Sequence, residues 1–123
     1  MHTQKTITRV ICAILSLLLA VGLPKPVQAG VIYTVTNSAS SGAGSLRQAI
    51  LDANSNPGKD FIHFAIPTSD PGYSTPLGVW FIRLTLVLPM LEDPSGVVID
   101  GSTQPGSHPN LPGIVIEHTT SVP

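Results

Sequence analysis

The chain has 123 residues, six Lys or Arg against seven Asp or Glu, and a formal net charge of −1. That balance leaves no basic patch able to displace counterions from a nucleic acid, so nucleic acid is excluded as a partner. The 12 prolines and 11 glycines interrupt long regular elements, and the single cysteine excludes a disulfide framework within the chain.

Residues Met1 to Arg9 carry Lys5 and Arg9 and no acid, and Val10 to Leu23 is an almost unbroken apolar run ended by Pro24. Val27-Gln28-Ala29 places small residues at the third and first positions before Gly30. This order predicts a secretory signal peptide over residues 1–29, cleaved before Gly30. A retained membrane anchor is the alternative, but a spanning helix needs about 20 apolar residues and this run is shorter. Cys12 lies inside the run and lacks the small-residue sequence that precedes a lipidated cysteine. Secretion without disulfides fits a bacterial envelope protein better than a small eukaryotic secreted domain. Cleavage also removes Lys5, Arg9 and Lys25, leaving three basic and seven acidic side chains in residues 30–123, a net charge of −4. No membrane span is expected after cleavage.

Residues 31–36 (Val-Ile-Tyr-Thr-Val-Thr) alternate and are rich in β-branched side chains, which predicts a strand. Asn37 to Gly44 reads as a flexible polar loop. Its Gly and Ser content suggests a phosphate cradle as an alternative, but no Gly-Lys-Ser/Thr ending follows. Ser45 with Gln48 three residues on forms a capping-box pattern. Leu46, Ala49, Ile50 and Ala53 then fall on one helical stripe, with Arg47, Gln48, Asp52 and Asn54 on the other side. Asn56-Pro57-Gly58 ends that helix.

Short strands follow. Ile62, Phe64 and Ile66 alternate with His63 and Ala65, and Pro67 to Gly78 is a long loop containing Asp70-Pro71-Gly72. Trp80, Ile82, Leu84, Leu86 and Leu88 alternate with Phe81, Arg83, Thr85 and Val87. Val97 and Ile99 lead into a hairpin-like corner, and Ile114 and Ile116 alternate with Val115 and Glu117. Apolar pairs thus recur at intervals of roughly fifteen to twenty residues. An antiparallel sandwich would want hairpin loops of about two to five residues. Several connections here are longer, which favours a parallel solenoid.

The string Gly44-Ser-Leu-Arg-Gln-Ala-Ile50, then Asp52-Ala-Asn54 and Pro57-Gly-Lys-Asp-Phe-Ile-His-Phe64, resembles the N-terminal region of secreted bacterial right-handed parallel β-helix proteins of the pectate-lyase-like type. Leu88-Pro89 and Val97-Val-Ile-Asp-Gly-Ser-Thr-Gln-Pro-Gly106 are similar to a second segment of that family, Leu-Pro followed by Val-x-Ile-Asp-Gly-Thr-Thr-Gln-Pro-Gly. The resemblance runs from Val31 to about Glu117. It implies a mainly β fold in which an N-terminal helix caps the first coils of a β-helix within residues 30–123. The structural cap is then Ser45, Leu46, Gln48, Ala49, Ile50 and Ala53, with Arg47 and Asp52 facing water. The structural corner is Asp100, Gly101, Gln104, Pro105 and Gly106. Family members continue for many further coils, whereas this sequence stops at Pro123, so the chain is expected to be an incomplete β-helix.

Glycan cleavage, the activity of many β-helix enzymes, needs paired carboxylates about 5 to 10 Å apart. Asp60, Asp70, Asp93 and Asp100 all sit beside Pro, Gly or a strand boundary, where turn geometry favours Asp. No Asp, His or Arg repeats on one face of successive strands. Asp100 is the strongest candidate ligand for calcium or sugar, but calcium wants six to eight oxygens, and a bond to its own corner explains it better. His63, His108 and His118 lack the spacing of a zinc site, and no Gly-x-Ser-x-Gly elbow is present. Trp80 is expected in the core, with Phe81 under the preceding loop. The reading is therefore a secreted or cell-surface bacterial protein without catalytic residues, metal or cofactor, structural or adhesive in role, meeting polysaccharide or other surface components. The alternative is the head of a carbohydrate-active lyase or hydrolase.

Overall fold

A computed structural model describes residues 28–119. The charged and apolar regions of the expected leader, including Cys12, lie outside the described residues. Those residues form β1 (Ile32–Val35), α1 (Leu46–Ser55), β2 (Asp60–Phe64), β3 (Tyr73–Ser74), β4 (Val79–Leu84), β5 (Val97–Ile99), a 3-10 turn (Gly101–Thr103) and β6 (Ile114–His118). The fold is mainly β with one α-helix, as expected.

The strands build two three-stranded sheets, one ordered β1-β2-β5 and the other β3-β4-β6. Every pair in the first sheet is parallel. In the second, β4 and β6 are parallel and only the two-residue β3 runs antiparallel to β4. After α1 the chain visits the first sheet at β2 and the second at β4, then returns to the first at β5 and the second at β6. The returns are in register, since Ile62 pairs with Ile99 and Ile82 with Ile116. Each takes about 35 residues, well beyond the dozen or so that a parallel crossover requires.

Alternation decides what is buried. On β2 the side chains of Asp60, Ile62 and Phe64 are buried while Phe61 and His63 are half-buried. On β4, Trp80, Ile82 and Leu84 point inward and Arg83 outward. These join Val35, Ile66 and the apolar stripe of α1 in one core. Trp80 is fully buried, as anticipated, its ring centroid 4.7 Å from that of Tyr73 in a tilted contact and its indole N–H donating to the Pro67 carbonyl at 3.0 Å. Phe81 carries the Arg83 guanidinium 5.0 Å from its ring.

The expected alternation along residues 80–88 stops at Leu84, and Leu86 is 64 % exposed. The expected hairpin-like corner after Ile99 is also different: β5 and β6 belong to different sheets and do not pair. Both lie at sheet edges, where Ile99 remains 39 % and Ile116 45 % exposed.

Burial predicts opposite outcomes for two register partners. Ile82→Ala should cost about 2–5 kcal/mol by transfer and cavity formation, whereas Ile116→Ala should cost under about 1 kcal/mol. Urea midpoints at unchanged m-value measure both, and equal losses would contradict the assignment of the core.

Candidate functional site

The loop before α1 is a built helix start. Gly44 has a φ of +75°, and a Cβ there would lie 2.4 Å from Thr36 Oγ1. Its carbonyl accepts from the N–H groups of Thr36 at 2.9 Å and Asn37 at 3.3 Å. Ser45 caps the helix with extended backbone, its Oγ accepting from Gln48 N–H at 3.2 Å and donating to Gly42 O at 2.7 Å. The reciprocal half of the capping box is not formed. Ser45 N–H donates to Gly42 O, and the Gln48 side chain donates to Asp52 Oδ1 at 2.8 Å.

Leu46, Ala49, Ile50 and Ala53 are all buried, and α1 packs on β1 and β2. The polar side of α1 does more than face water. Arg47 donates to the carbonyls of Ser40, Leu86 and Val87 at 2.8–3.1 Å. Asn54 donates to Met90 O at 2.8 Å and accepts from Glu92 N–H at 2.9 Å. Residues 86–92 are thus tied along the helix, which explains why their apolar side chains do not extend β4. The helix closes at Asn56, whose N–H donates to Ala53 O at 3.2 Å.

The corner after β5 satisfies a sheet that its backbone has left. Asp100 Oδ1 accepts from the N–H of Ser102 at 3.0 Å and from its hydroxyl at 2.6 Å. These two bonds, stronger than the opposing burial and helped by His63, hold the Asp100 carboxyl below its ordinary range. Thr103 Oγ1 donates to Asp100 O at 2.7 Å and accepts from Phe64 N–H at 2.8 Å. Gln104 is buried, and its amide pairs with both backbone groups of Ile66: Oε1 accepts from N–H at 2.9 Å and Nε2 donates to C=O at 2.8 Å. A side-chain amide here replaces the next strand residue. Gly106, with φ +73°, turns the chain beside Trp80, and Pro105 accepts from Gln104 Nε2 through its carbonyl at 3.2 Å. Gly101 has neither a positive φ nor a close contact at its Cβ position.

Asp60, Asp70 and Asp93 are each bonded into the fold. Asp70 accepts from the hydroxyl and N–H of Ser38 and from Gly72 N–H, pinning the 67–78 loop to the 37–44 loop. Burial opposes its ionisation, but these three bonds outweigh burial and hold the carboxyl below its ordinary value. Asp93 accepts from Ser95 N–H at 2.9 Å. Asp60 is fully buried rather than a turn residue: its Oδ1 accepts from Val31 N–H at 2.7 Å and Asn56 Nδ2 at 2.9 Å. Among the described residues no group of three or more His, Cys, Asp or Glu converges as metal ligands.

A cleft of about 410 Å³ opens between the corner and the loop before β6, lined among others by Ser102, Ser107, His108 and Leu111. His108 Nδ1 accepts from Asn110 N–H at 3.2 Å. The cleft contains hydroxyls and one imidazole but no carboxylate, so it can hydrogen-bond a ligand and lacks an acid/base pair. The residues that sequence patterning missed are Arg47, Asn54, Thr103, Asp60 and Asp70, all polar and each bonded across 29 to 40 residues. Comparison with protein-family models, curated proteins and solved structures finds no match to this chain.

Gln104→Leu removes both bonds to Ile66 and leaves a buried N–H and C=O unpaired, so it should cost about 2–4 kcal/mol. Amide exchange should accelerate at Ile66 more than at Ile62, and unchanged exchange at Ile66 would contradict the pairing. Asp70 gives a pH signature. Its folded carboxyl titrates below the ordinary value of 3.8, so its stabilisation is present above that pH and lost as pH falls through the folded value. Asp70→Asn should lower stability by about 1 kcal/mol near neutral pH, with the difference narrowing in acid unfolding curves below pH 3.8.

Proposed function

We propose that this chain is a non-catalytic, secreted or cell-surface bacterial protein whose residues 30–119 form the cap and first coils of a right-handed parallel β-helix. The observation that carries the reading is the double return of the chain, β2 to β5 and β4 to β6, each time adding a parallel strand in register. Successive coils of a solenoid stack in this way, each contacting its neighbour. Two features of the near end support a cap: α1 lays its apolar stripe into the core, and β3 closes the edge of β4 by antiparallel pairing. At the far end, β5 and β6 lie at sheet edges among the described residues and carry the partly exposed Ile99 and Ile116. A structural or adhesive role fits a chain in which Asp60, Asp70, Asp93 and Asp100 are bonded into the fold and no carboxylate lines the cleft. Polysaccharide or another surface component is the partner that a hydroxyl-lined cleft can meet.

The free edges and the lack of acid/base chemistry are tested together on the exported product of the full chain. Light scattering should show self-association that Ile99→Lys with Ile116→Lys abolishes, because charged side chains blunt strand addition at an edge. Incubation with acidic and plant-type polysaccharides should release neither new reducing ends nor unsaturated sugars. A monomeric parent, or depolymerised glycan, would overturn the proposal.

A further inference from the structure

Asp60 is the fully buried carboxylate among the described residues. It is 0 % exposed; Oδ1 is fully used by Val31 N–H and Asn56 Nδ2, while Oδ2 has no hydrogen-bond partner. The ion pair found among the described residues is Arg83 with Glu117, on the other sheet, so no side-chain cation there neutralises Asp60. An ionised carboxylate in that setting is costly unless paired.

Residues 28–31 run directly beside it. A Cβ on Gly30 would sit 1.7 Å from the carbonyl oxygen of Lys59, so only glycine fits there. Phe61 N–H donates to Val31 O at 2.9 Å, fixing the strand start. A Cβ on Gly58 would lie 2.7 Å from Gln28 O, while Gln28, Ala29 and Gly30 themselves remain exposed. Three covalent bonds separate the nitrogens of Gly30 and Val31, a span of under about 4 Å. The nitrogen of Gly30 is therefore adjacent to the one that already binds this carboxylate.

We infer that the Ala29–Gly30 bond is a processing site whose new α-ammonium, on Gly30, docks onto Asp60 Oδ2 as an internal ion pair. The inference rests on the reading of residues 1–29 as a secretory leader. Cleavage by an endopeptidase of the signal-processing class adds water across the amide. The Ala29 carbon gains the oxygen and leaves as a carboxylate, and both water protons end on the Gly30 nitrogen as –NH3⁺. In the uncut chain the same nitrogen is an uncharged amide. Processing thus supplies the positive charge that the buried site lacks. Burial raises the Tyr33 phenol above its ordinary titration, and Asp60 followed by Asp52 adds to that, as expected of a negative locality.

The test uses the full chain expressed with export, the product being weighed to fix its first residue. A product starting at Gly30 has only two amines, the α-amine and Lys59 Nζ, because Lys5 and Lys25 leave with the leader. Near neutral pH a free α-amine acylates faster than lysine, having the lower pKa. In the folded product Gly30 should instead react at least about tenfold more slowly than in the same product unfolded in urea, while Lys59 reacts equally in both. Asp60→Asn should restore the rate at Gly30, and Asp52→Asn should leave it protected. Should Asp60→Asn fail to fold, the folded-against-unfolded comparison of the parent decides alone. A product starting at another residue would overturn both the leader reading and the ion pair. A product starting at Gly30 whose α-amine reacts equally fast folded and unfolded would overturn the ion pair alone.

Discussion

A parallel strand pair cannot be closed by a tight turn, and most of this molecule follows from that constraint. To place β5 beside β2 the chain must leave the first sheet, cross the second at β4 and come back. Each excursion strands backbone groups at the corners, where no neighbouring strand is available. Burying an N–H or C=O without a partner costs about 1–3 kcal/mol. The polar side chains of the corners answer that cost. Gln104 pairs with Ile66 as a strand would, Thr103 accepts from Phe64, and Asp70 holds two loops together through Ser38 and Gly72. The donors and acceptors of these side chains are engaged within the fold.

The second consequence concerns the ends of the two sheets. A stack of two sheets exposes its apolar interior wherever it begins and ends. At the beginning, α1 fills the core with Leu46, Ala49, Ile50 and Ala53, and Arg47 and Asn54 anchor residues 86–92 across its outer side. At the other end β5 and β6 have only partly covered apolar side chains. Unpaired edges of this kind invite strand addition. The proposed structural role is a reading of these two strands, which lie at sheet edges among the described residues.

Local patterns in the sequence carried the local features. The stripe from Leu46 to Ala53 and the cap at Ser45 depend on residues within one or two helical turns. The same holds for the Asp100 bond to Ser102, an interaction over two residues. Alternation placed Ile62, Phe64 and Trp80 correctly because inward and outward positions are written in a two-residue period. It failed at Leu86, where two bonds from Arg47, to the carbonyls of Leu86 and Val87, hold the chain off the strand path. Gln104 was placed in a corner by resemblance, but its partner Ile66 is 38 residues away and no local pattern encodes that bond. Asp60 looked like a turn residue for the same reason: its environment is assembled from Val31 and Asn56, which only folding brings to it.

The central claim is that β6 returns beside β4 in parallel register, and cross-linking tests it most directly. In the exported chain with Cys12→Ser, the pair Phe81→Cys and Val115→Cys occupies directly opposed positions of the two strands. Parallel neighbours lie about 5 Å apart, within the Cα separation a disulfide accepts. The pair Phe81→Cys and Ile116→Cys is one residue out of register and points to opposite faces. Mild oxidation should close the 81–115 pair rapidly within one chain and leave the 81–116 pair reduced. Equal or reversed closure would contradict the register and, with it, the stacked return of the chain.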